Sequence, residues 1–319
     1  MSVAEGKEAS ILASRPGPPA VFVGPDPDAL IMDAVVRAGA VLAPLEAASA
    51  AIWTSLDPTT WRDADAPDSV EWVQLLSAGV ENWIASGVLD ADRVWTSARG
   101  ASALTVAEHA LALLLAVRRR LVECARATEW QSAIEGVPLR GSTVLIVGCG
   151  AIGTALIPML TSLQVGAIAV TRSGRTVAGA TESYPASELR SLWHRADIVV
   201  LAAPATPQTN RIIDSRVLEA LPRHATLINV ARGSLVDTDA LVEHLRRGSI
   251  AGAGLDVTDP EPLPTGHALW TMDNVLVTPH DANPEIAWKV NVAARVAENL
   301  QRYRAGVSLV GTIDLARNY

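Results

Sequence analysis

Short runs of β-branched and other apolar residues recur through the second half of the chain, and segments with helical periodicity separate them. The runs, between residues 143 and 280, are TVLIVG, AIAVTR, DIVVLAA, ATLINVA, IAGAGLDV and NVLVTPH. Such runs are typical of parallel strands that are buried on both faces. The alternation of strand and helix therefore predicts a doubly wound α/β fold around one parallel sheet.

Residues 20–100 show the same alternation over shorter runs. The runs AVFVG, AVLAPL, AAIWTS and VEWVQLL predict strands, and the segment after Pro27 predicts a helix. Long helices are predicted over residues 102–128 and 284–305, and the segment GVSLVGTID is expected to return to the first domain. The predicted division is a flexible tail at 1–19, a smaller α/β domain at 20–100 and 286–319, and a larger α/β domain at 101–285.

The composition agrees with two folded domains and argues against some partners. With 319 residues, 49% hydrophobic and 19% charged, the chain can bury a full core, and single cores tend to stop growing near about 250 to 300 residues. The net charge of −8 argues against nucleic acid as a partner, because phosphate binding needs a basic face. Lysine occurs only at Lys7 and Lys289, so arginine is expected to supply the cations of any anion site.

Neither the N-terminal segment nor the cysteines indicate export or a membrane. The N-terminal segment lacks a basic start followed by a sustained apolar run, and the longest apolar run, residues 110–117, is too short to span a bilayer. Cys124 and Cys149 lie in apolar surroundings without metal-ligand spacing, which predicts reduced, buried thiols. We therefore expect a cytoplasmic protein without a membrane role, a disulfide or a metal site.

The sequence VGCGAIG follows the first strand of the larger domain and opens a helix. Gly148 there permits a tight turn, Gly150 lets the backbone approach a pyrophosphate, and Gly153 lets helix and strand pack closely. The motif predicts that a dinucleotide is bound by Gly148, Gly150, Ala151, Ile152 and Gly153. The alternative is a glycine-rich turn without a ligand, which the series of six strands around the motif disfavours.

A basic cluster stands after the second strand, where a unit that prefers NAD carries an acidic residue. Arg172, Ser173 and Arg175 supply two guanidinium groups and a hydroxyl. These groups suit the ribose 2′-phosphate of NADP, which an aspartate at this place would repel. The cluster therefore predicts NADP as the preferred cofactor and NAD as a second candidate. A solvated arginine loop is the alternative.

Three further segments follow in order: LINVARGSLVD, GLDVTDPEPLP and NVLVTPH. Together with the glycine motif they resemble the D-isomer-specific 2-hydroxyacid dehydrogenases, over about residues 70–307. The resemblance implies that Arg232 binds the substrate carboxylate and carbonyl, that His280 is the acid/base, and that Glu261 pairs with His280. Further cofactor contacts are implied for Ala203, Pro204, Thr209, Val230, Ala231 and Asp256.

The chemistry of 2-oxo acid reduction supports these roles. A hydride must reach the carbonyl carbon while a proton reaches the oxygen, and a protonated histidine such as His280 suits the second task. A carboxylate beside the ring favours its charged form and fixes its tautomer, which is the role of Glu261. The guanidinium of Arg232 matches a carboxylate and stays charged. The alternatives are a surface arginine at 232 and a solvated loop acid at 261.

Other residues are interpreted with less specific roles. In QLLSAGVENW the resemblance implies that the NH groups of Ala78 and Gly79 hold the substrate carboxylate, and a glycine turn before a helix is the alternative. Asp281 departs from the small apolar or glycine-rich segment that many relatives have, which leaves the substrate preference open. The remaining histidines show no partner pattern and are interpreted as structural: His109, His194, His224, His244 and His267.

The resemblance as a whole implies an NADP-preferring reductase of a small 2-oxo acid such as glyoxylate or hydroxypyruvate. It implies a Rossmann domain at 101–285 that binds the dinucleotide and a smaller, flavodoxin-like α/β domain that binds the substrate. Relatives pair through the helix that matches residues 102–128, so a homodimer is expected. A dinucleotide-sensing regulatory protein on the same scaffold is the alternative, because fold alone does not fix function.

Overall fold

A computed structural model describes residues 17–130, 132 and 134–315, so most of the tail expected at 1–19 lies outside the described residues. The chain forms two compact units, one made of residues up to Ser102 and from Pro284 onward, the other of Ala103–Asn283. The strands are β1 (Ala20–Gly24), β2 (Val41–Leu42), β3 (Ala50–Trp53), β4 (Trp72–Leu75), β5 (Val94–Thr96), β6 (Thr143–Val147), β7 (Gly166–Thr171), β8 (Glu182–Pro185), β9 (Ile198–Leu201), β10 (Thr226–Asn229), β11 (Gly252–Leu255) and β12 (Val275–Val277). The helices are α1 (Ala29–Arg37), α2 (Pro58–Asp63), α3 (Glu81–Ser86), α4 (Ala103–Arg118), α5 (Leu121–Arg126), α6 (Ala151–Ser162), α7 (Ser215–Ala220), α8 (Thr238–Arg246) and α9 (Glu285–Ala305).

The first unit is built on a five-stranded parallel sheet in the order β2-β1-β3-β4-β5. Helix α1 begins at an Asp28 cap, whose carboxylate accepts hydrogen bonds from two backbone NH groups. Val35 of α1 and Val296 of α9 are fully buried in one cluster with strand residues such as Ile52, which fixes both helices on the sheet. After α9 the chain pairs Thr312 with Thr96 in an isolated antiparallel bridge.

The second unit is built on a seven-stranded parallel sheet in the order β12-β11-β10-β9-β6-β7-β8. Alternate residues of its central strands enter two different clusters. Leu145 and Val199 pack on the face that α7 and α8 cover, whereas Ile146 and Val200 pack on the face that α4 and α6 cover. Because both faces are buried, the strands read as continuous apolar runs. The predicted α/β fold class is confirmed.

The long helix predicted over residues 102–128 is wrong in one respect, because it is two helices. Helix α4 ends at Arg118, and Arg120 adopts a left-handed backbone conformation with φ 52° before α5 begins. The guanidinium of Arg118 turns inward at this end and donates to the carbonyl of His224, 3.0 Å away. Arg118 is therefore buried at the helix end, and Arg119 and Arg120 are exposed.

Two smaller predictions also differ from the structure. Strand β8 was not predicted, because its sequence ESYP is polar and all four of its residues are only half-buried at the sheet edge. Both cysteines were expected to be buried, yet only Cys149 is, and Cys124 is exposed on the short helix α5. Within the described part of the chain, no helix is both long enough and apolar enough to cross a bilayer.

Candidate active site

The carboxyl ends of the seven parallel strands bring most of the predicted site residues to one edge of the sheet. Gly148 follows β6, Arg172 follows β7, and Ala203 follows β9. Arg232, Asp256 and His280 follow the adjacent strands β10, β11 and β12 in the same way. In doubly wound sheets the ligand crevice lies outside this edge, where the strand order reverses, here between β6 and β9. Ala78 and Gly79 belong to the first unit, where they follow β4.

The three glycines of VGCGAIG have different surroundings, and these surroundings fit a bound dinucleotide. Gly148 has φ 84°, and a Cβ there would lie 2.4 Å from the Cα of Ala203. A Cβ on Gly153 would lie 2.7 Å from Cys149 Sγ. At Gly150, by contrast, a Cβ would meet nothing closer than 3.9 Å. The first and third glycines serve packing, and Gly150 leaves open space beside the backbone, as a pyrophosphate requires.

Helix α6 starts at this turn and offers a second feature that suits an anion. Its cap residue, Gly150, provides no side-chain cap, and its first turn contains no acidic residue. The first NH groups of a helix have no partner within the helix and carry partial positive charge, which favours a phosphate near Ala151 and Ile152.

Burial raises the pKa of the Cys149 thiol, although the charge of Arg175 opposes this shift, so the turn carries a neutral thiol.

The predicted basic cluster lies beside the glycine turn. Arg172 and Ser173 are exposed directly after β7, and Gly174 turns the chain with φ 74°. Arg175 Nη2 then donates to the carbonyl of Cys149 at 3.2 Å. The cluster is thus attached to the turn through one arginine, while the exposed Arg172 and Ser173 are accessible to an anion from solvent.

The expected cofactor contacts after β9 and β10 are ordered by local hydrogen bonds. Thr209 Oγ1 donates to the carbonyl of Pro204 at 2.7 Å, which closes the loop that begins at the buried Ala203. Val230 and Ala231 are buried too. The NH of Ala231 donates to Asn229 Oδ1 at the end of β10, at 3.0 Å. Side-chain hydrogen bonds of Thr209 and Asn229 therefore fix the backbone at this part of the edge.

Arg232 stands on a turn that two neighbours fix. Asn229 Nδ2 donates to the carbonyl of Arg232 at 2.9 Å, and Arg232 Nη1 donates to the carbonyl of Ala231 at 2.8 Å. A Cβ on Gly233 would lie 1.8 Å from the carbonyl oxygen of Thr258, so only glycine permits the approach of these two segments. The close approach places the Arg232 turn against the segment that leads to Glu261.

His280 and Glu261 form the expected pair. His280 Nδ1 lies 2.6 Å from Glu261 Oε1, and the side chains are 51% and 41% exposed. His280 has φ 55°, a left-handed conformation that is uncommon for a residue with a side chain. With Nδ1 engaged by the carboxylate, Nε2 is the ring nitrogen available to a substrate.

Asp256, expected to contact the cofactor, is the centre of the loop that carries His280. Its carbonyl accepts the NH of His280 at 2.8 Å, and its carboxylate accepts the NH groups of Asp281 and Ala282 at 2.9 and 3.0 Å. The Thr278 hydroxyl donates to the same carboxylate at 2.6 Å. The carboxylate is 1% exposed, so its hydrogen bonds replace solvent.

His109 was interpreted as structural without a partner, and this interpretation missed its contacts. His109 Nε2 lies 2.9 Å from Thr278 Oγ1 and 3.3 Å from Asp256 Oδ1. Both partners are more than 140 residues away along the chain, so the sequence around His109 could not predict these contacts. Thr278 itself stands in the quoted segment NVLVTPH but was given no role. No group of three or more histidine, cysteine or acidic side chains that could hold a metal ion occurs among the residues the structure describes.

Comparison with known proteins decides the family. A family model described as D-isomer specific 2-hydroxyacid dehydrogenase, NAD binding domain, matches residues 111–282, more than half of the chain. The chain belongs to the D-isomer specific 2-hydroxyacid dehydrogenase family. The resemblance recognised in the sequence is thereby confirmed, and so is the prediction of an NAD(P)-dependent oxidoreductase that acts on the CH-OH group of donors.

Three relatives illustrate the similarity. The chain is 38% identical over 204 residues to a glyoxylate reductase of Thermofilum pendens, and the match covers 61% of this chain and 60% of that relative. A D-isomer specific 2-hydroxyacid dehydrogenase of Xanthobacter autotrophicus, solved with NADPH and MES, is 29% identical with a TM-score of 0.82, covering 95% of this chain and all of its own. An NADPH-dependent glyoxylate/hydroxypyruvate reductase of Sinorhizobium meliloti is 25% identical with a TM-score of 0.77, with the same coverage. These similarities do not favour the alternative of a regulatory binding protein.

Proposed function

We propose that the protein reduces a small 2-oxo acid, such as glyoxylate or hydroxypyruvate, and that it prefers NADPH to NADH. The names of the reductases from Thermofilum and Sinorhizobium support this substrate class, and the NADPH in the Xanthobacter structure supports this cofactor. The observation that carries the proposal is the contact of 2.6 Å between His280 Nδ1 and Glu261 Oε1 at the carboxyl edge of the sheet.

The proposed residues divide the chemistry as follows. NADPH, when bound, would supply the hydride, and His280 would give the proton to the carbonyl oxygen from Nε2. Glu261 accepts a hydrogen bond from Nδ1 and so fixes the orientation of the ring, which leaves Nε2 for the substrate. Arg232 binds the substrate carboxylate and stabilises the charge that develops on the oxygen. The NH groups of Ala78 and Gly79 are proposed as further donors to that carboxylate.

The cofactor preference rests on the loop after β7. We assign the ribose 2′-phosphate to Arg172, Ser173 and Arg175, because two guanidinium groups and a hydroxyl can form charge-assisted hydrogen bonds to it. The pyrophosphate is assigned to the turn at Gly150 and to the first NH groups of α6. The remaining contacts are proposed for Ala203, Pro204, Thr209, Val230, Ala231 and Asp256.

Turnover of NADPH with a panel of 2-oxo acids tests the proposal. The panel should include glyoxylate, hydroxypyruvate, pyruvate and a branched 2-oxo acid, because Asp281, exposed beside His280, leaves the substrate side chain open. We expect steady oxidation of NADPH with at least one small 2-oxo acid. Tight binding of NADPH without turnover on any member would instead support the regulatory protein.

A symmetric homodimer and a cytoplasmic location stay predictions. Leu104 of α4 and Leu121 of α5 are 64% and 51% exposed, and such apolar side chains on neighbouring helices suit a two-fold contact. Light scattering over a wide concentration range should give the mass of two chains. A single-chain mass at every concentration would remove the dimer.

A further inference from the structure

Helix α4 lies over strand β11 in a register that matches small residues with large ones. Leu113 and Val117 are four residues apart on one face of α4, and a Cβ added to Gly254 or Gly252 of β11 would lie within 2.9 Å of their side chains. Alternate residues of a strand share one face, and helix residues four apart share one stripe. The missing side chains on the strand therefore let the helix approach closely along this stripe.

The next positions of the two series meet at the carboxyl end of β11. Continuing by four along the helix gives His109, and continuing by two along the strand gives Asp256. Their contact, 3.3 Å between His109 Nε2 and Asp256 Oδ1, is thus a consequence of the helix register. The register places the His109 imidazole beside Asp256, which binds the loop that carries His280.

The hydrogen bonds around Thr278 fix which nitrogen of His109 carries a proton. The Thr278 hydroxyl gives its single hydrogen to Asp256 Oδ1, at 2.6 Å. The same oxygen must then accept from His109 Nε2, which lies 2.9 Å away. His109 is therefore protonated on Nε2, and the Nε2–H group also points towards Asp256 Oδ1.

We propose that His109 is a positioning residue for the reaction: its Nε2–H holds Thr278 and Asp256 in place, and Asp256 holds the loop that presents His280. The inference rests on the proposed function, since it assigns to His109 an effect on the step that His280 performs. The Asp256 carboxylate accepts the NH groups of Asp281 and Ala282, and its backbone carbonyl accepts the NH of His280, so a rotation of the carboxylate would release the two residues that follow His280 in the loop. A displacement of about 1 Å at a reacting group can cost on the order of 10²-fold in rate.

Three variants separate the donor from the bulk of the side chain. His109→Leu removes the donor, His109→Gln keeps an amide NH near the place of Nε2, and Thr278→Val removes the bridging hydroxyl at equal shape. We expect His109→Leu and Thr278→Val to lower kcat by roughly 10- to 100-fold, and to weaken the binding of NADPH less than they lower kcat, because Asp256 is also proposed as a cofactor contact. His109→Gln should recover kcat to within about threefold of wild type.

His244 provides a matched control. It is a buried histidine of the same unit whose Nε2 lies 2.9 Å from the Ser215 hydroxyl, and it sits on α8, on the other face of the sheet. His244→Leu removes the same kind of bond and should leave kcat within about twofold. An equal loss of kcat in this control would show a general effect of losing a hydrogen-bonded histidine of this unit and would overturn the proposal.

Amide hydrogen exchange tests the positioning role without any substrate. In His109→Leu, or in Thr278→Val if the first variant does not fold, the amides of Asp281 and Ala282 should exchange at least about tenfold faster than in wild type, and His244→Leu should not change them. Nitrogen NMR of the wild type should show the Nε2–H form of His109. If the wild type reduces no 2-oxo acid, the proposed function fails while exchange still decides the positioning role. Unchanged exchange, or unchanged kcat in an active enzyme, would overturn the positioning role alone.

Discussion

Two loops at the carboxyl edge of the seven-stranded sheet are built in different ways. In the loop of residues 278–282, three successive NH groups end on Asp256, whose carboxylate is 1% exposed. In the loop of residues 172–175, Arg172 and Ser173 are exposed, and Arg175 donates one hydrogen bond to the neighbouring glycine turn. The first loop is held from within the protein, and the second presents side chains to solvent.

The difference agrees with the tasks proposed for them. Proton transfer requires a donor within a few tenths of an ångström of its place, so His280 stands on a loop whose backbone is fixed by a buried carboxylate. Choice between two dinucleotides requires only charge of the right sign near a phosphate, which exposed arginines can supply. Substitutions of the exposed Arg172 and Ser173 should therefore change specificity with little loss of stability.

The largest expected effect comes from His280→Ala. Loss of the positioned acid should lower kcat for 2-oxo acid reduction by roughly 10²- to 10⁴-fold. Binding of NADPH, measured by fluorescence titration, should stay within about threefold, because the loop of residues 172–175 is untouched. Turnover close to that of wild type would show that the firmly held loop does not carry the chemistry.

The next effect should follow from Arg172→Asp. The substitution removes a donor to the 2′-phosphate and adds a carboxylate that repels it but can accept from a free ribose hydroxyl. Hydrogen bonds to charged groups are worth about 1.5 to 3 kcal/mol, so the ratio of kcat/KM for NADPH over NADH should fall roughly 10²-fold.

Arg223→Asp is the matched control for that change. Arg223 is exposed as well, but it precedes β10 and so lies at the opposite edge of the sheet. The control should leave the cofactor ratio unaltered. A ratio that responds equally to both substitutions would reflect net charge, and a ratio that responds to neither would leave the basic cluster as a solvated loop.

A smaller effect is expected from Gly150→Val, which fills the open space in the glycine turn. A Cβ at this position meets no atom closer than 3.9 Å, so the fold has space for the side chain. The affinity for NADPH should fall about tenfold, a loss of about 1.4 kcal/mol. Unaltered NADPH affinity in Gly150→Val would place the pyrophosphate elsewhere.

By contrast, Gly148→Ala should lower the free energy of unfolding by about 1 to 3 kcal/mol, because φ is 84° and the Cβ would collide with Ala203.

The smallest effect should be that of Glu261→Gln. The amide keeps the size of the side chain but removes the charged acceptor that lies 2.6 Å from His280 Nδ1, so the ring should be oriented less firmly. Loss of one such hydrogen bond is worth about 1 kcal/mol, so kcat should fall by roughly fivefold, while the affinity for NADPH should not change. A kcat equal to that of wild type would remove Glu261 from this role.

The fold could be predicted from the sequence because its strands are apolar on both faces. The runs around Leu145 and Val199 could be recognised as strands from their own residues. Strand β8 (Glu182–Pro185) could not, because it lies at the sheet edge and carries polar residues. The break at Arg120 was missed because its neighbours have good helix propensity and nothing in the local sequence indicates a left-handed residue there. Tertiary contacts decide such details.

The candidate site could be predicted in part. Gly150, Arg232, Glu261 and His280 stand in short segments with recognisable spacing, and the structure gives each of these segments a defined geometry. His109 stands in a helix that reads as core, and its partners come from the ends of two distant strands. One sequence signal was present: His109, Leu113 and Val117 are spaced by four, and Gly252, Gly254 and Asp256 are spaced by two. This signal can be interpreted only when it is known that this helix packs on this strand.

The pH dependence of kcat/KM for one 2-oxo acid, measured on the wild type with NADPH and again with NADH, tests the separate roles of the two loops most directly. If the loop of His280 sets protonation and the loop of Arg172 sets cofactor choice, the two profiles should fall at the same pH and differ in height by roughly 10²-fold in favour of NADPH. Equal heights, or a fall at a different pH for each cofactor, would contradict the account.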